Sequence, residues 1–170
     1  MASVEQFPYT PFAQLDLEQQ ESLQIARSLL PKVRLIPGMK RIRVAAVVRT
    51  NTGERYVGIN VPITGQTAGL CAERNALSTA YAMQEVGTGW RNCVEIAIVG
   101  RDEDNGGKPF FPCGGGCLQW LQDWAVEARA EPLIVTATYD FEKVIVVTLG
   151  QVWHPSARYQ YFDPQNFQAS

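Results

Sequence analysis

Two short segments of the chain concentrate side chains that bind metals and move protons. The first begins with Cys71 and carries Glu73 two residues later. The second contains Cys113 and Cys117, separated by three glycines. Each segment lies where a loop is expected to lead into a helix, and the positive end of a helix dipole lowers the pKa of a thiol there. Three thiolates from two helix starts would give zinc three protein ligands and leave the fourth position for water, as in catalytic zinc sites.

Other interpretations of these residues stay open at this point. The cysteines could be buried structural thiols or ligands of a closed structural zinc, and Glu73 could be an ordinary acidic residue of a first helical turn. His154 is the only histidine and could complete a closed site, although its sequence context favours a loop residue. Cys93 stands in a strand-like run and is predicted to be a small buried hydrophobic residue.

The two segments resemble the signature of the zinc-dependent cytidine deaminase family, in which Cys-Ala-Glu-Arg is followed by Pro-Cys-x-x-Cys. A cysteine at position 71, where other deaminases have histidine, resembles the branch that acts on free nucleosides. The resemblance covers roughly residues 41–149. It includes the run Gly58-Ile59-Asn60-Val61, which is similar to the ribose-contacting segment of the family.

The resemblance implies a role for each residue of the two segments. One zinc ion per chain would be held by Cys71, Cys113 and Cys117. Hydroxide on the zinc would attack the amine-bearing ring carbon, while Glu73 shuttles protons to the ring nitrogen and the departing amine. Arg74 would lie against the thiolates and offset the net negative charge that three of them leave on Zn²⁺. The related enzymes also imply a homotetramer.

The substrate-binding part is more divergent. The resemblance assigns substrate contacts to Asn60 and Ala72, although Asn60 could equally be a turn residue at a strand end. Where the family carries a ribose-binding glutamate the chain has Pro62, and where it carries an aromatic residue that stacks on the base the chain has Ile42. Leu118 replaces the usual arginine after the last cysteine, and the cysteine spacing is three residues instead of two.

These observations predict a zinc-dependent hydrolytic deaminase of an aminopyrimidine nucleoside, either cytidine or deoxycytidine or a modified relative. Two alternatives remain. One is a deaminase of a nucleoside antibiotic such as blasticidin S, because those enzymes share the motifs. The other is a non-catalytic ligand-binding or assembly domain on the same fold. Missing partners for a substrate hydroxyl can change substrate discrimination by orders of magnitude, so the residues leave the substrate open.

The elements around the two segments alternate between strands and helices. Apolar periodicity and turn residues predict helices at 16–30, 71–83 and from 116, and strands at 41–48, 55–61, 94–99, 133–138 and 144–149. Such alternation is typical of an α/β protein with helices on both faces of an open mixed sheet. Together with the resemblance, it predicts a three-layer α/β/α cytidine deaminase-like fold with a mixed five-stranded sheet.

Length and charge limit the remaining possibilities. The 170 residues predict one domain, with residues 1–14 as an N-terminal extension and 150–170 as a C-terminal tail. Fifteen basic and 17 acidic residues give a net charge of −2, which offers no basic face for duplex nucleic acid or anionic lipid. Apolar runs are too short to span a bilayer and no secretory signal is visible, so the expected location is cytoplasmic. The expected partners are a small nucleoside-like substrate and further copies of the chain.

Overall fold

A mixed five-stranded sheet forms the centre of the protein. The computed structural model describes residues 6–36, 42–62, 69–102, 107–112 and 116–152. The strands are β1 (Ile42–Thr50), β2 (Arg55–Ile59), β3 (Cys93–Asp102), β4 (Leu133–Thr138) and β5 (Val144–Thr148). Their order across the sheet is β2-β1-β3-β4-β5, in which β3 and β4 are parallel and the other neighbours are antiparallel.

Helices cover both faces of this sheet. The helices are α1 (Leu17–Leu29), α2 (Ala72–Met83), α3 (Gly116–Ala128) and the short α4 (Leu149–Val152). The first helix packs on one face, while α2 and α3 contribute to the apolar core on the other face. The predicted three-layer α/β/α arrangement around a mixed five-stranded sheet is therefore confirmed. No helix in the described ranges is both long and apolar enough to cross a bilayer.

The apolar run in β1 explains why this strand lies near the middle of the sheet. Ala45 and Val47 point into the core beneath α1, whereas Ala46 and Val48 point into the core beneath α2 and α3. All four side chains are completely buried. A strand covered on both faces needs apolar residues at consecutive positions, and the sequence of β1 supplies them.

The first helix begins at a capping box and is tied to the sheet by charged side chains. Asp16 accepts a hydrogen bond from the Gln19 backbone N–H at 2.7 Å, and the Gln19 side chain accepts one from the Asp16 N–H. Such reciprocal bonds satisfy amide groups that a helix start leaves without intrahelical partners. From β2, Arg55 forms ion pairs with Glu18 and Glu21 of the helix.

Several element boundaries differ from the predicted ones. β1 extends two residues past the predicted end, because Arg49 pairs with the buried carboxylate of Glu95 on β3. β3 extends three residues past its predicted end at residue 99, since it stays paired with the start of β1 up to residue 102. Leu149 starts α4 instead of ending β5. Most of the predicted C-terminal tail, including His154, and residues 1–5 of the N-terminal extension lie outside the described residues.

Candidate metal and catalytic site

A short backbone bridge positions the start of α2. Val61 and Leu70 exchange two hydrogen bonds, at 2.9 and 3.1 Å, just before the helix begins. Cys71 is the N-cap residue and has an extended backbone, and its carbonyl accepts the first helical hydrogen bond from Asn75. Its thiol therefore stands at the positive end of the helix dipole, which favours the thiolate.

The first turns of α2 lie directly on β2. A Cβ atom placed on Gly58 would be 2.9 Å from the Ala76 Cα, and closer still to the Ala76 nitrogen and the Ala72 carbonyl oxygen. The side chain of Asn75 donates a hydrogen bond of 3.1 Å to the Ile59 carbonyl. Only glycine at position 58 allows the helix backbone to approach the strand this closely.

A second helix start meets the first. Cys117 is the second residue of α3 and is buried, with 1% of its surface exposed. The sulfur atoms of Cys71 and Cys117 and a carboxylate oxygen of Glu73 all lie within 4.8 Å of one another. The structure thus brings together three of the predicted site residues. Cys113, the remaining predicted ligand, lies outside the described residues.

The donor set at this point fits a zinc ion. Two sulfurs bound to one zinc at about 2.3 Å in tetrahedral geometry are about 3.8 Å apart, which the observed cluster allows. Both thiols stand at helix N-termini, where the dipoles favour the anionic form that binds metal. Glu73 lies in the first turn of α2 and only 4% of its surface is exposed, so its carboxylate is held at the same point.

Arg74, on α2, lies beside the start of α3. Its guanidinium carbon is 5.7 Å from the centre of the Trp120 ring, and a Cβ on Gly116 would be 3.3 Å from its Nη1 atom. The Nε atom is buried, and no hydrogen-bond partner for it exists in the part of the chain that the structure describes. A cation beside Gly116, the residue before Cys117, fits a site that carries excess negative charge.

Asn60 holds the beginning of β1 in place. Its Oδ1 atom accepts a hydrogen bond of 2.7 Å from the Val44 N–H, and its Nδ2 atom donates one of 3.1 Å to the Ile42 carbonyl. These bonds continue the pairing of β1 and β2 beyond the last residue of β2. The predicted ribose contact of Asn60 stays a prediction. Ala72, the other predicted substrate contact, is completely buried in the first turn of α2.

The fourth cysteine belongs to a different environment. Cys93 begins β3 and is 1% exposed, and burial raises the pKa of its thiol to about 11. Its sulfur accepts a hydrogen bond from the Gln84 side chain at 3.4 Å. A thiol that resists ionisation is a poor metal ligand, so the prediction of a buried hydrophobic role is confirmed.

Sequence reasoning missed two residues that shape the site. Asn75 connects α2 to β2, and Trp120 supplies the ring under Arg74. Asn75 directly follows the Cys-Ala-Glu-Arg run, and Trp120 lies one helical turn after Cys117. The helical spacing of Trp120 was therefore a usable signal. The Asn75 contact, in contrast, depends on where β2 runs and has no local signal.

Known proteins resemble the chain over the same region. Residues 18–129 match the family model described as the cytidine and deoxycytidylate deaminase zinc-binding region. A crystal structure of cytidine deaminase from Burkholderia pseudomallei is 25% identical, with a TM-score of 0.62 over 81% of this chain and 97% of that chain.

Two further structures are similar in fold. Cytidine deaminase from Mycobacterium leprae is 23% identical with a TM-score of 0.56, over 81% of this chain and 98% of that chain. The enzyme from Mycobacterium tuberculosis is 20% identical with a TM-score of 0.58, over 85% of this chain and 100% of that chain. No curated protein sequence shows significant similarity to the chain.

Proposed function

Because the chain belongs to the cytidine and deoxycytidylate deaminase zinc-binding family, we propose that it is a zinc-dependent hydrolytic deaminase of an aminopyrimidine nucleoside. The observation that carries the proposal is the cluster of Cys71, Glu73 and Cys117, whose ligand atoms lie within 4.8 Å of one another at two helix starts. We assign Cys113 as the third zinc ligand from its place in the family motif. In the overall reaction, water replaces the ring amine, and ammonia leaves.

The protein residues divide the work of this reaction. Zinc, when bound, supplies a nucleophilic hydroxide near neutral pH. Glu73 accepts one proton from the attacking water and passes it to the ring nitrogen, then accepts the second proton from the hydroxyl added to the ring carbon and passes it to the amine, which leaves as ammonia. Burial of Glu73 keeps bulk water from competing for that proton. Arg74 offsets the charge of the thiolates and thereby helps the site to hold an anionic nucleophile.

The substrate-binding segment suits a nucleoside but departs from the family pattern. Among the described residues, Asn60 bonds to β1 through one lone pair and one N–H, and the second lone pair and second N–H of its amide can meet a substrate hydroxyl. Pro62 offers no acceptor side chain at the position of the family glutamate, and Ile42 offers no aromatic ring for stacking. We therefore expect selectivity among nucleosides to differ from that of enzymes that carry both groups.

Two measurements test the proposed activity. Elemental analysis of the purified protein should find about one zinc per chain. Ammonia release should then be measured with cytidine, deoxycytidine and blasticidin S. Zinc with turnover of a cytidine supports the proposal, and turnover of blasticidin S alone favours the antibiotic deaminase. Zinc without turnover of any of the three would favour the non-catalytic alternative.

The role of Glu73 has a matched control in the chain. Glu73→Gln should lower turnover about 100-fold or more, because the proton shuttle is lost, and should leave zinc bound. Glu18→Gln makes the same chemical change at the same position of α1, the second helical residue, on the opposite face of the sheet. It should leave turnover unchanged. Undiminished ammonia release by zinc-loaded Glu73→Gln protein would refute the mechanism.

We further propose that the chain forms a homotetramer in the cytoplasm. Tyr81, Met83 and Val86 are exposed apolar side chains at and after the end of α2, as expected of a surface that meets another subunit. A reducing compartment keeps thiols free of disulfides, which suits a site with three thiolate ligands. Light scattering during size-exclusion chromatography measures the assembly, and a monomer at micromolar concentration would contradict it.

A further inference from the structure

The described part of the N-terminal extension packs against the loop that precedes the second cysteine segment. The backbone N–H of Thr10 donates a hydrogen bond of 2.8 Å to the carbonyl of Val144, the first residue of the edge strand β5. Upstream of this bridge, the ring of Phe7 stacks on the ring of Phe111 with centres 5.6 Å apart and planes 24° apart. Both rings pack against the core beneath α2 and α3.

The loop that contacts Phe7 is also anchored at two other residues, Phe110 and Gly107. The hydroxyl of Thr136 on β4 donates a hydrogen bond of 2.6 Å to the Phe110 carbonyl. The Phe110 ring lies so close to Gly100 that any side chain there would collide with it. At the start of the loop, Lys143 donates a hydrogen bond of 2.9 Å to the Gly107 carbonyl.

Of these loop anchors, the Phe7 contact is the nearest in the sequence to Cys113. Phe111 precedes Pro112, which is buried, and Cys113 follows directly. Thr136 fixes the residue before Phe111, but it bonds only to the main chain. Among the described residues, Phe7 is the aromatic partner that the Phe111 ring stacks on.

We propose that residues 6–10 act as a strap in which Phe7 is a positioning residue for the zinc site, because it fixes Phe111 and so limits the motion of the loop that leads into Cys113. This inference rests on the proposed zinc site. Residues that orient metal ligands from outside the coordination sphere typically change metal affinity by about 10- to 100-fold when replaced. The effect passes through the loop, because Phe7 itself contributes no ligand atom.

A pair of phenylalanine variants separates this role from general stability. Phe12 lies in the same N-terminal extension but after the bridge at Thr10, and it stacks on Phe141 with centres 4.5 Å apart, on the core beneath α1. Phe7→Ala and Phe12→Ala each remove one ring from one stack. With zinc-loaded protein and a colorimetric chelator in excess, we expect zinc transfer to be about 10-fold faster for Phe7→Ala and within about 2-fold of wild type for Phe12→Ala. Phe7→Tyr keeps the stack and should restore the slow transfer.

Hydrogen exchange on the zinc-free proteins provides the second measurement. The backbone amides of residues 107, 108, 110 and 111 should exchange faster in Phe7→Ala than in wild type or Phe12→Ala protein, because one anchor of the loop is gone. Equal zinc transfer from the two alanine variants, or unchanged exchange of the loop in Phe7→Ala, would overturn the strap. Wild-type protein that binds no zinc would overturn the proposed function, and with it the role of Phe7 in the zinc site. Faster loop exchange in Phe7→Ala would still show that the strap holds the loop.

Discussion

Replacing Gly58 with alanine should move α2, which carries the proposed zinc ligand Cys71 and the proposed proton shuttle Glu73, without replacing either residue. The added Cβ would lie 2.9 Å from the Ala76 Cα and more than 1 Å inside the 3.4 Å limit of ordinary contact with the Ala76 nitrogen. All of these neighbours are backbone atoms of α2, so no side chain can rotate away. The helix must move back from β2, which costs the packing between the two elements.

The expected effects follow from that displacement. Overpacking of this kind costs about 1–3 kcal/mol, and the rigid backbone at this contact places Gly58→Ala toward the upper end. Cys71 and Glu73 stand at the start of the displaced helix, and a misplacement of about 1 Å lowers turnover about 100-fold. Urea unfolding measures the first effect. Zinc content and ammonia release, both expressed per folded protein, measure the second.

Gly69→Ala is the matched control for this substitution. A Cβ on Gly69 would be 3.5 Å from the Val61 carbonyl oxygen, which is ordinary contact, although the position is also close to the start of α2. Both substitutions remove the same conformational freedom from the unfolded chain. The difference between their free energies of unfolding therefore measures the effect of the steric clash alone. A Gly58→Ala protein within about 0.5 kcal/mol of Gly69→Ala would refute the argument from close packing. Lower stability with wild-type turnover would show that the strand contact does not set the site geometry.

Two further predictions concern buried groups away from the site. The pKa of Cys93 is about 11 in the folded protein, above the ordinary 9.0. The stability that the neutral, buried thiol contributes is therefore complete below pH 9 and is lost as pH rises toward 11. Urea unfolding should therefore show wild type losing stability relative to Cys93→Ala across this window, by at most about 1.4 kcal/mol per pH unit, and parallel curves would contradict it. Arg49→Met should cost about 3 kcal/mol, because the Glu95 side chain is 1% exposed and would lose its ion partner. Arg49→Met/Glu95→Gln should recover most of that loss, and no recovery would disprove the ion-pair explanation.

The layers of the fold are predictable from the sequence because their signals are local. Consecutive apolar residues in β1 require burial on both faces, and the helical spacing of apolar residues defines one covered face of each helix. Glu95 shows where this reasoning fails. It stands in an apolar strand and is completely buried, which only its cross-strand partner Arg49 explains. Local patterns carry no information about which residue lies opposite in a sheet.

The candidate site shows the same division between local and distant signals. The approach of Cys71 and Cys117 was predictable because both occur in motifs at helix starts. The closeness of α2 to Gly58 was not predictable, because a glycine near a strand end is equally common in turns. The stack of Phe7 on Phe111 joins distant parts of the chain, and neither ring belongs to a periodic pattern.

The proposed substrate-binding residues and the proposed zinc ligands depend on different contacts. Gly58 allows α2 to pack closely on β2, and the bridge between Val61 and Leu70 fixes the backbone that leads into Cys71. Pro62 directly follows Val61 in the chain and is not part of this bridge. A change at position 62 can therefore alter the proposed substrate-binding segment without moving Cys71, whereas a change at position 58 cannot. Selectivity and metal binding should respond to different substitutions within one five-residue stretch of the chain.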